Sequence, residues 1–322
     1  MKTDSFFSTD PCAHEEATAP WENNITPLDR GPYRQEVSVL ASPRLILYRE
    51  NTLSRLRVQG LSPREMLSFA VPLVTGSNSR WWGKAHHEQG LPLMMPGGVH
   101  TEFSSGQQHL IALVDLNLFR ESLPEDIGDA IALAARHHVL PGSQRSTFQL
   151  GAILNTVLDE VHANPRALKH SAVVDSIERD VLAGLRQIAE LSPLIPQNAG
   201  RTLRQSGLKR ALDYIRTAGN NPITVSKLCI VSNVSQRTLE YAFHQTFGVS
   251  PLRFLQLRQF HMARRGLLAA DGKKSTVSEI ANTNGFYQVG RFAVRYKKLF
   301  HESPSQTLMR PPMQIQNRLG QL

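Results

Sequence analysis

Cysteine is nearly absent from this sequence: Cys12 and Cys229 are the only two, and they lie far apart. Such a pair offers neither a disulfide framework nor a four-cysteine zinc site. Long apolar runs are lacking too, because no stretch approaches the roughly 18 residues of a membrane-spanning helix. These absences disfavour redox chemistry, cysteine–metal chemistry and membrane insertion.

Sequence signatures of catalysis are also lacking. The chain contains no glycine-rich phosphate loop, no GxSxG nucleophile elbow and no pair of catalytic carboxylates. A metal site of the cupin kind is one alternative, since one region holds His86, His87, His100, Glu102 and His109. Adjacent His86 and His87 would point to opposite faces of a strand, which disfavours this site. We therefore predict a protein that is not an enzyme and has no metal or other cofactor.

The charge is divided unevenly along the chain. Residues 201–322 hold 19 Lys and Arg but only 5 Asp and Glu, whereas the first 200 residues hold 17 basic and 22 acidic groups. A positive field concentrated in one region attracts nucleic acid or an anionic membrane. The segment from Met1 to Pro20 is acidic and polar, unlike a signal peptide. We therefore expect a cytoplasmic protein whose basic half binds nucleic acid and not a membrane.

Length and composition predict about two folded domains. The chain has 322 residues, of which 41% are hydrophobic, enough to form a core. Residues 1–30 show neither helical nor strand periodicity and are expected to form a flexible tail. A linker rich in proline, glycine and polar residues lies where the charge changes sign. This organisation predicts one domain over 31–200 and a second over 208–310.

The first domain begins with short apolar runs separated by turn residues. Three of these runs are Val37–Leu40, Leu45–Tyr48 and Leu110–Val114. Their spacing is typical of hairpins in a small β-barrel or sandwich. Within this region Trp81, Trp82 and Phe103 are candidates for a ligand pocket, because such pockets are mainly apolar. Ordinary core packing is the alternative for these three side chains.

Helical periodicity replaces the strand pattern after Asp115. Helices are predicted at about 124–136, 147–163 and 171–191. In the last of them, apolar residues recur at three- and four-residue steps: Val174, Ile177, Val181, Leu185, Ile188 and Leu191. This stripe either packs on its own domain or forms a dimer seam between two paired helices.

The basic half contains an internal repeat. The segment 224–229 matches 276–281 at an offset of 52, and each copy opens with a threonine suited to cap a helix. Downstream, 247–251 matches 300–304 at an offset of 53. Each copy is interpreted as a short helix, a tight turn and a second helix. Ser235 is the expected cap of one second helix, and Gly285 is expected to supply the positive φ of the other turn.

The second helix of each copy has one apolar face and one polar or basic face. The polar face of the first copy carries Ser235, Gln236, Arg237, Glu240, Tyr241 and His244, and that of the second carries Gln288, Val289, Arg291, Val294, Arg295 and Lys298. A solvated charged face is the simplest interpretation of one such helix. Two copies favour insertion into the major groove of DNA, which is about 12 Å wide.

A third helix is predicted between the two copies, from Pro251 to about Ala270. Twenty residues span about 30 Å, close to the roughly 34 Å between successive major-groove faces of DNA. One chain would thus reach two consecutive grooves. Arg253, Arg258, Arg264 and Arg265 on this helix either pack within the protein or contact phosphate.

The segment from Leu208 to about Arg310 resembles the DNA-binding domain of the AraC/XylS-type transcriptional regulators. The matching motifs are Ser235-Gln236-Arg237-Thr238-Leu239, Phe247-Gly248-Val249-Ser250-Pro251, Ile280-Ala281, Gly285-Phe286, Gly290-Arg291-Phe292 and Ser303-Pro304. The resemblance covers about a third of the chain. It implies two helix-turn-helix units, over 226–247 and 277–300. In them Arg237, Glu240 and Tyr241, and Val289, Arg291 and Val294, are implied to face the bases. The two valines depart from the polar readers common there, so the second unit is expected to recognise thymine methyls or to act through phosphate contacts.

The first half resembles the sensor of ethanolamine-operon activators in the same family, at Tyr48-Arg49-Glu50, Pro96-Gly97-Gly98 and Glu102-Phe103. This implies a small-molecule effector, and specifically an amine or an amino alcohol. The family resemblance further implies a homodimer that contacts double-stranded DNA and RNA polymerase.

The sequence thus predicts an α+β protein with an N-terminal cupin-like β-barrel sensor that includes helices, and a C-terminal all-α domain with two helix-turn-helix motifs. The expected function is a sequence-specific transcription activator that responds to a small molecule. The alternatives are an architectural DNA-binding protein without a ligand and an enzyme that carries a DNA-binding module.

Overall fold

The computed structural model describes residues 1–74, 79–82, 84–85, 90–192, 203–219, 221–272 and 274–310. Strands fill most of the first 115 residues, and helices fill most of the remainder. The chain is therefore α+β, with a sheet-rich N-terminal half and a helical C-terminal half, as the sequence predicts. Within the described ranges, no helix is long and apolar enough to cross a membrane.

The strands are short, as the runs of apolar residues between turns predict. In chain order they are β1 (Lys2–Ser8), β2 (Glu22–Pro27), β3 (Gln35–Ala41), β4 (Leu45–Thr52), β5 (Leu56–Leu61), β6 (Met66–Val74), β7 (Arg80–Trp81), β8 (Lys84–Ala85), β9 (Leu91–Met94), β10 (Gly98–Phe103), β11 (Gln107–Asp115) and β12 (Val139–Leu140).

The helices divide between the two halves. The sheet-rich half carries α1 (Pro11–Ala17), α2 (Leu116–Ser122), α3 (Glu125–Ala135), α4 (Gln144–Ala163) and α5 (Ser171–Glu190). The helical half consists of α6 (Leu203–Thr217), α7 (Val225–Ser232), α8 (Gln236–Phe247), α9 (Pro251–Ala269), α10 (Val277–Thr283), α11 (Val289–Phe300) and α12 (Pro304–Leu308).

The strands form two separate antiparallel sheets. The first sheet has the order β1-β3-β4-β11-β6-β9-β12, and the second has the order β2-β5-β10-β7-β8. Apolar residues from both sheets share one core, in which Ala70 and Met94 of the first meet Val58 and Val99 of the second. The expected closed barrel is not found among the described strands, because the edge strand β1 pairs with β3 and not with the second sheet. The cupin-like architecture stays a prediction.

The first 27 residues depart from the flexible tail that the sequence predicts. They form β1, α1 and β2, and β1 pairs with β3 over seven residue pairs. Cys12 and His14 on α1 are buried, each 1% exposed. The missing periodicity has a physical reason: β1 is an edge strand with mixed exposure, and α1 is too short to display a helical stripe. This segment is part of the folded domain.

Two long helices cover the outer face of the first sheet. Apolar residues of α4 and α5 share a core with Leu110, Ala112 and Val114 of β11. In the predicted stripe on α5, the four central residues Ile177, Val181, Leu185 and Ile188 are buried in this core. Of the two interpretations of the stripe, packing on its own domain is the one that the structure shows.

The helical half has two small cores that share one helix. The first contains Leu239, Phe243 and Phe254, and the second contains Phe260, Phe292 and Tyr296. Because Phe254 and Phe260 both lie on α9, this helix belongs to both cores. Each core holds one copy of the sequence repeat.

Candidate nucleic-acid interface and ligand cavity

The first helix-turn-helix unit consists of α7, a short turn and α8. Asn233 follows α7 in the left-handed conformation, with a φ of 52°, which asparagine adopts more readily than most residues. Ser235 then caps α8 by accepting a hydrogen bond from the Thr238 N–H. Leu239 and Phe243 anchor α8 in the first core. The structure thus contains the turn and the cap that the sequence predicts.

The opposite face of α8 lies in solvent. Among the predicted DNA-contact residues here, Glu240 is half-buried and the exposed ones are Ser235, Gln236, Arg237, Tyr241 and His244. Arg237, Tyr241 and His244 share one helix face by their spacing. Two hydrogen bonds hold side chains on this face in place. Gln236 Nε2 donates to Glu240 Oε1 at 2.9 Å, and Gln245 Nε2 donates to the Tyr241 hydroxyl at 3.0 Å. The face therefore combines a cation with polar donors and acceptors.

The second helix-turn-helix unit has the same arrangement, but its helix cap and its turn residue differ. Thr276 and Glu279 form a reciprocal capping box at the start of α10, with bonds of 3.2 and 2.8 Å. Gly285 has a φ of 82°, which residues with a β-carbon adopt only at a cost. Phe292 and Tyr296 then bury the inner face of α11.

The outer face of α11 is also in solvent. The predicted contacts on it are the half-buried Val289 and the exposed Gln288, Arg291, Val294, Arg295 and Lys298. Val294 is 72% exposed, although it is apolar. An apolar side chain at this position suits contact with a thymine methyl group in the major groove. The second face is thus more cationic and less polar than the first.

Helix α9 joins the two units. It spans 19 residues, or about 28 Å, which confirms the predicted spacer helix. The structure also separates its four arginines. Arg264 and Arg265 bind carboxylates of the sheet-rich half, Arg258 donates to the Gly219 carbonyl, and Arg253 is exposed in the first turn of the helix. Of the four, Arg253 has the geometry for a phosphate contact.

A cavity lies between the two sheets, and the three predicted ligand-pocket residues all line it. Trp81 and Phe103 are nearly buried, with ring centroids 5.1 Å apart, and Trp82 is half-buried. The Trp82 indole N–H donates to the Gly98 carbonyl, and its ring stacks on His138 at 4.2 Å. Trp21 adds a fourth aromatic ring to the wall.

A buried carboxylate also lines the cavity. Glu50 is 6% exposed, and its Oε2 lies 3.3 Å from His109 Nε2 and 3.8 Å from His14 Nε2. Burial alone would raise the pKa of Glu50, but the neighbouring imidazoles of His109 and His14 hold it well below its usual range. His14 Nδ1 in turn lies 2.6 Å from the Tyr33 hydroxyl. The cavity therefore presents an ionised carboxylate within an aromatic wall.

The second sheet separates this cavity from the helical half. On β5, Val58 lines the cavity, whereas the next residue, Gln59, donates a hydrogen bond of 2.7 Å to the Phe247 carbonyl at the end of α8. On β10, Val99 lines the cavity, and Gly98 lies so close to the Phe247 ring that a β-carbon there would overlap it. Alternate residues of one sheet thus face the cavity and the first helix-turn-helix unit.

Sequence reasoning missed Glu50 and His14 as members of the cavity wall. Tyr48-Arg49-Glu50 contributes to the family resemblance, but nothing in the sequence pairs Glu50 with a histidine 36 residues away. His86 and His87 lie outside the described residues. In the ranges that are described, no group of three or more His, Cys, Asp or Glu residues is placed to bind a metal.

Comparisons with known proteins agree with the geometry of the helical half. A family model described as a helix-turn-helix domain matches residues 228–310. The probable thc operon regulatory protein of Rhodococcus erythropolis is 38% identical over 105 residues, which cover 33% of this chain and 32% of that protein. The XylDLEGF operon transcriptional activator 1 of Pseudomonas putida is 26% identical over 80% of this chain and 77% of its own length.

A solved structure of a probable AraC family transcriptional regulator from Rhodopseudomonas palustris is 34% identical, over 32% of this chain and 95% of that one, with a TM-score of 0.29. The fold and the paired units define the class, a helix-turn-helix DNA-binding protein. Within that class, the helical half is similar to the matching regions of AraC/XylS-type transcriptional regulators.

Proposed function

We propose that this protein is a sequence-specific transcription activator whose binding to double-stranded DNA responds to a small molecule. One observation carries the DNA-binding part: two helix faces, each backed by its own buried core, are exposed on the two units that α9 joins. Neither face is covered by the described residues of the sheet-rich half, although β10 contacts α8 and β2 contacts α11. Two exposed recognition faces on one chain suit two successive major grooves.

The two units take different roles in this proposal. On α8, Arg237, Glu240 and Tyr241 read base edges, with Ser235, Gln236 and His244 beside them. On α11, Val289 and Val294 contact thymine methyls and Arg291 reads a base, while Gln288, Arg295 and Lys298 hold the DNA backbone. Bidentate contacts from arginine to guanine are the commonest specific contact, whereas phosphate contacts position the protein without reading sequence.

The effector site in this proposal is the cavity between the sheets, with Trp81, Trp82 and Phe103 in its wall. An aromatic wall with a few polar groups is typical of small-molecule sites. Glu50 supplies a negative charge, and no lysine or arginine lies among the described residues of the wall. An amine, the effector class that the family resemblance implies, would pair with Glu50 and with the faces of the tryptophan rings.

Several further assignments belong to the proposal. The protein acts in the cytoplasm, as a homodimer that contacts RNA polymerase, and it is not an enzyme. The sensor domain spans 31–200 together with the folded segment 1–30, and the DNA-binding domain spans 208–310. Since the four central residues of the apolar stripe on α5 are buried within one chain, we assign the dimer contact to another surface.

Selection of bound DNA from a random pool tests the DNA-binding part. Two motifs about 10 base pairs apart for each subunit are the expected product. An unselective pool would overturn sequence-specific binding and leave an architectural DNA-binding protein. Thermal unfolding with a panel of small amines tests the effector part, since a ligand that binds the folded state raises the midpoint. If no amine raises the unfolding midpoint, and no neutral or acidic aromatic compound raises it either, the proposal of ligand sensing is wrong.

A further inference from the structure

Helix α1 has two buried sides that face different parts of the molecule. His14 lines the cavity and lies against Tyr33 and Glu50. The next residue, Glu15, points to α9 of the helical half, and the N-cap Asp10 points the same way. One short helix therefore touches both the cavity and the DNA-binding half.

The Glu15 side chain forms a buried ionic cluster with α9. It is 3% exposed, and its Oε2 accepts a bond of 2.6 Å from Arg265. Its Oε1 lies 2.9 Å from His261 Nδ1 and accepts a bond of 2.7 Å from the Ile25 N–H. Ile25 itself lines the cavity. Glu15 thus connects α9 to the backbone of the cavity wall as well as to α1.

Asp10 forms a second ionic cluster with the end of the helical half. Its Oδ2 accepts bonds of 2.5 Å from Arg264 and 2.6 Å from Arg310. Glu302, which follows α11, binds the same two arginines. Arg264 is 2% exposed and also donates to the Tyr296 hydroxyl of α11. These bonds tie α1 to the core of the second helix-turn-helix unit.

The first unit is held elsewhere. Gln59 of β5 binds the carbonyl at the end of α8, Arg216 of α6 donates to the Ser62 carbonyl, and Leu61 enters the first core. The first unit is therefore anchored through β5 and β10 of the second sheet, whereas the second is anchored through α1 and also contacts β2 at the edge of that sheet.

We propose that α1 couples the cavity to the second helix-turn-helix unit: a change at His14 shifts α1, alters the Asp10 and Glu15 ion pairs, and thereby changes how firmly the second unit is held beside the first. This inference rests on the proposed function for its biological meaning. Ion pairs at 2.5 to 2.9 Å in a buried site weaken strongly with small displacements, because they lose hydrogen-bond geometry without gaining water. A ligand can shift α1 only if it binds more tightly when the helix is in one of its two positions than in the other.

Hydrogen exchange without DNA tests the coupling independently of the proposed function. His14→Leu changes the cavity side of α1 and leaves Asp10 and Glu15 in place. We expect amide exchange in the second half of α9, α10 and α11 to become about tenfold faster, with little change in α7 and α8. The matched control is Ser68→Ala, which lies in the cavity wall on β6 of the first sheet.

Equal exchange in His14→Leu and wild type would overturn the coupling, as would equal acceleration of both units. The same holds if Ser68→Ala reproduces the effect. Glu15→Gln removes one charge from the other side of α1 and should accelerate the same segments. If that variant does not fold, Arg265→Gln removes the same ion pair from a side chain that is 39% exposed, and it must show the same pattern.

Footprinting on the selected operator supplies the second readout. His14→Leu and Glu15→Gln should lose protection at the half-site of the second unit and retain it at the half-site of the first. Glu121→Gln, which breaks the exposed pair with Arg44 on the sheet-rich half, is the charge control and should retain both. Loss of both half-sites together, or of neither, would contradict a coupling specific to the second unit. A wild type that selects no operator would overturn the proposed function, and the exchange data would still decide the coupling.

Discussion

The two helix-turn-helix units share one motif but differ in what they present and in what holds them. The outer face of α8 carries Arg237 among polar side chains, whereas that of α11 carries exposed valine among cations. The first unit joins the sheet-rich half through apolar packing, a neutral hydrogen bond from Gln59 and an ion pair of Arg216 with the exposed Glu22, whereas the second joins it through buried ion pairs. The two units therefore share a scaffold but differ in their exposed faces and in their anchors.

The two units therefore differ in which interactions stabilise their anchors and their contacts with DNA. Apolar packing does not depend on pH, whereas buried ion pairs require both partners to stay ionised. Likewise, base contacts depend on sequence, whereas phosphate contacts depend on salt. Each unit should thus respond to different perturbations.

Asp10→Ala is expected to have the largest effect on the anchor of the second unit. The change leaves Arg264, which is 2% exposed, with one carboxylate fewer. Removal of one partner from a buried ion pair typically costs about 3–5 kcal/mol. Chemical denaturation of both proteins measures the free energy of unfolding. Glu121→Ala, in an exposed pair, is the control and should cost less than about 1 kcal/mol. Equally small losses in both variants would show that the Asp10 cluster is not an anchor.

Acid should weaken the second anchor through Glu15. Burial alone would raise the pKa of Glu15. Arg265, His261 and the Ile25 N–H outweigh burial and lower the pKa from its ordinary 4.5 to about 2. The unfolded chain therefore binds a proton at Glu15 between pH 4.5 and 2 that the folded protein does not bind. The resulting stabilisation is complete above pH 4.5, is lost as the pH falls through 2, and amounts to about 3 kcal/mol.

The free energy of unfolding of wild type and Glu15→Gln, measured from pH 7 to pH 2, checks this value. The variant should show a shallower loss of stability over the acidic range. Parallel curves for the two proteins would mean that Glu15 is not the titrating group.

Arg237→Ala tests base reading by the first unit. It should weaken binding to the selected operator by about 1–3 kcal/mol and relax base preference at one position. A competition assay with single-base variants of the operator measures this. The matched control is Arg186→Ala, which also removes a cation but lies on α5, far along the chain from both units. It should leave operator binding unchanged. Equal losses on operator and random DNA for Arg237→Ala would remove its assignment as a reader.

Gln59→Leu tests the neutral anchor of the first unit. It removes the donor to the Phe247 carbonyl and should cost about 1 kcal/mol. Unlike that of Glu15→Gln, its effect should be the same at pH 7 and pH 3, because no titrating group is involved. A pH-dependent cost in denaturation would show that the two anchors do not differ in kind.

Lys298→Ala should have the smallest effect. It is expected to weaken binding to all sequences alike and to reduce the slope of log K against log salt by about 1. Binding measured at several salt concentrations on operator and random DNA gives this slope. A loss confined to the operator would instead assign Lys298 to base reading.

Local features of the helical half were predictable from sequence, and long-range ones were not. The caps Ser235 and Thr276, the turn at Gly285 and the spacer helix depend on neighbouring residues, so their patterns are visible in the chain. The folded state of residues 1–27 depends on pairing of β1 with β3 and on ion pairs such as Asp10 with Arg264, about 250 residues away. No local pattern encodes such contacts.

The candidate cavity was predictable in part for the same reason. Trp81, Trp82 and Phe103 stand out because large aromatic side chains in short strands are candidates for a pocket wall. Glu50 does not stand out, because its partners His14 and His109 come from α1 and β11, and only the sheet pairing brings them together.

Changing the spacing between the two half-sites of the selected operator tests most directly whether one chain reads two grooves through α9. Insertion of about 5 base pairs places the second half-site on the opposite side of the duplex. We expect protection at the second half-site to disappear, with affinity falling to that of the first half-site alone. Unchanged affinity and protection at both half-sites would contradict a fixed pair of recognition helices.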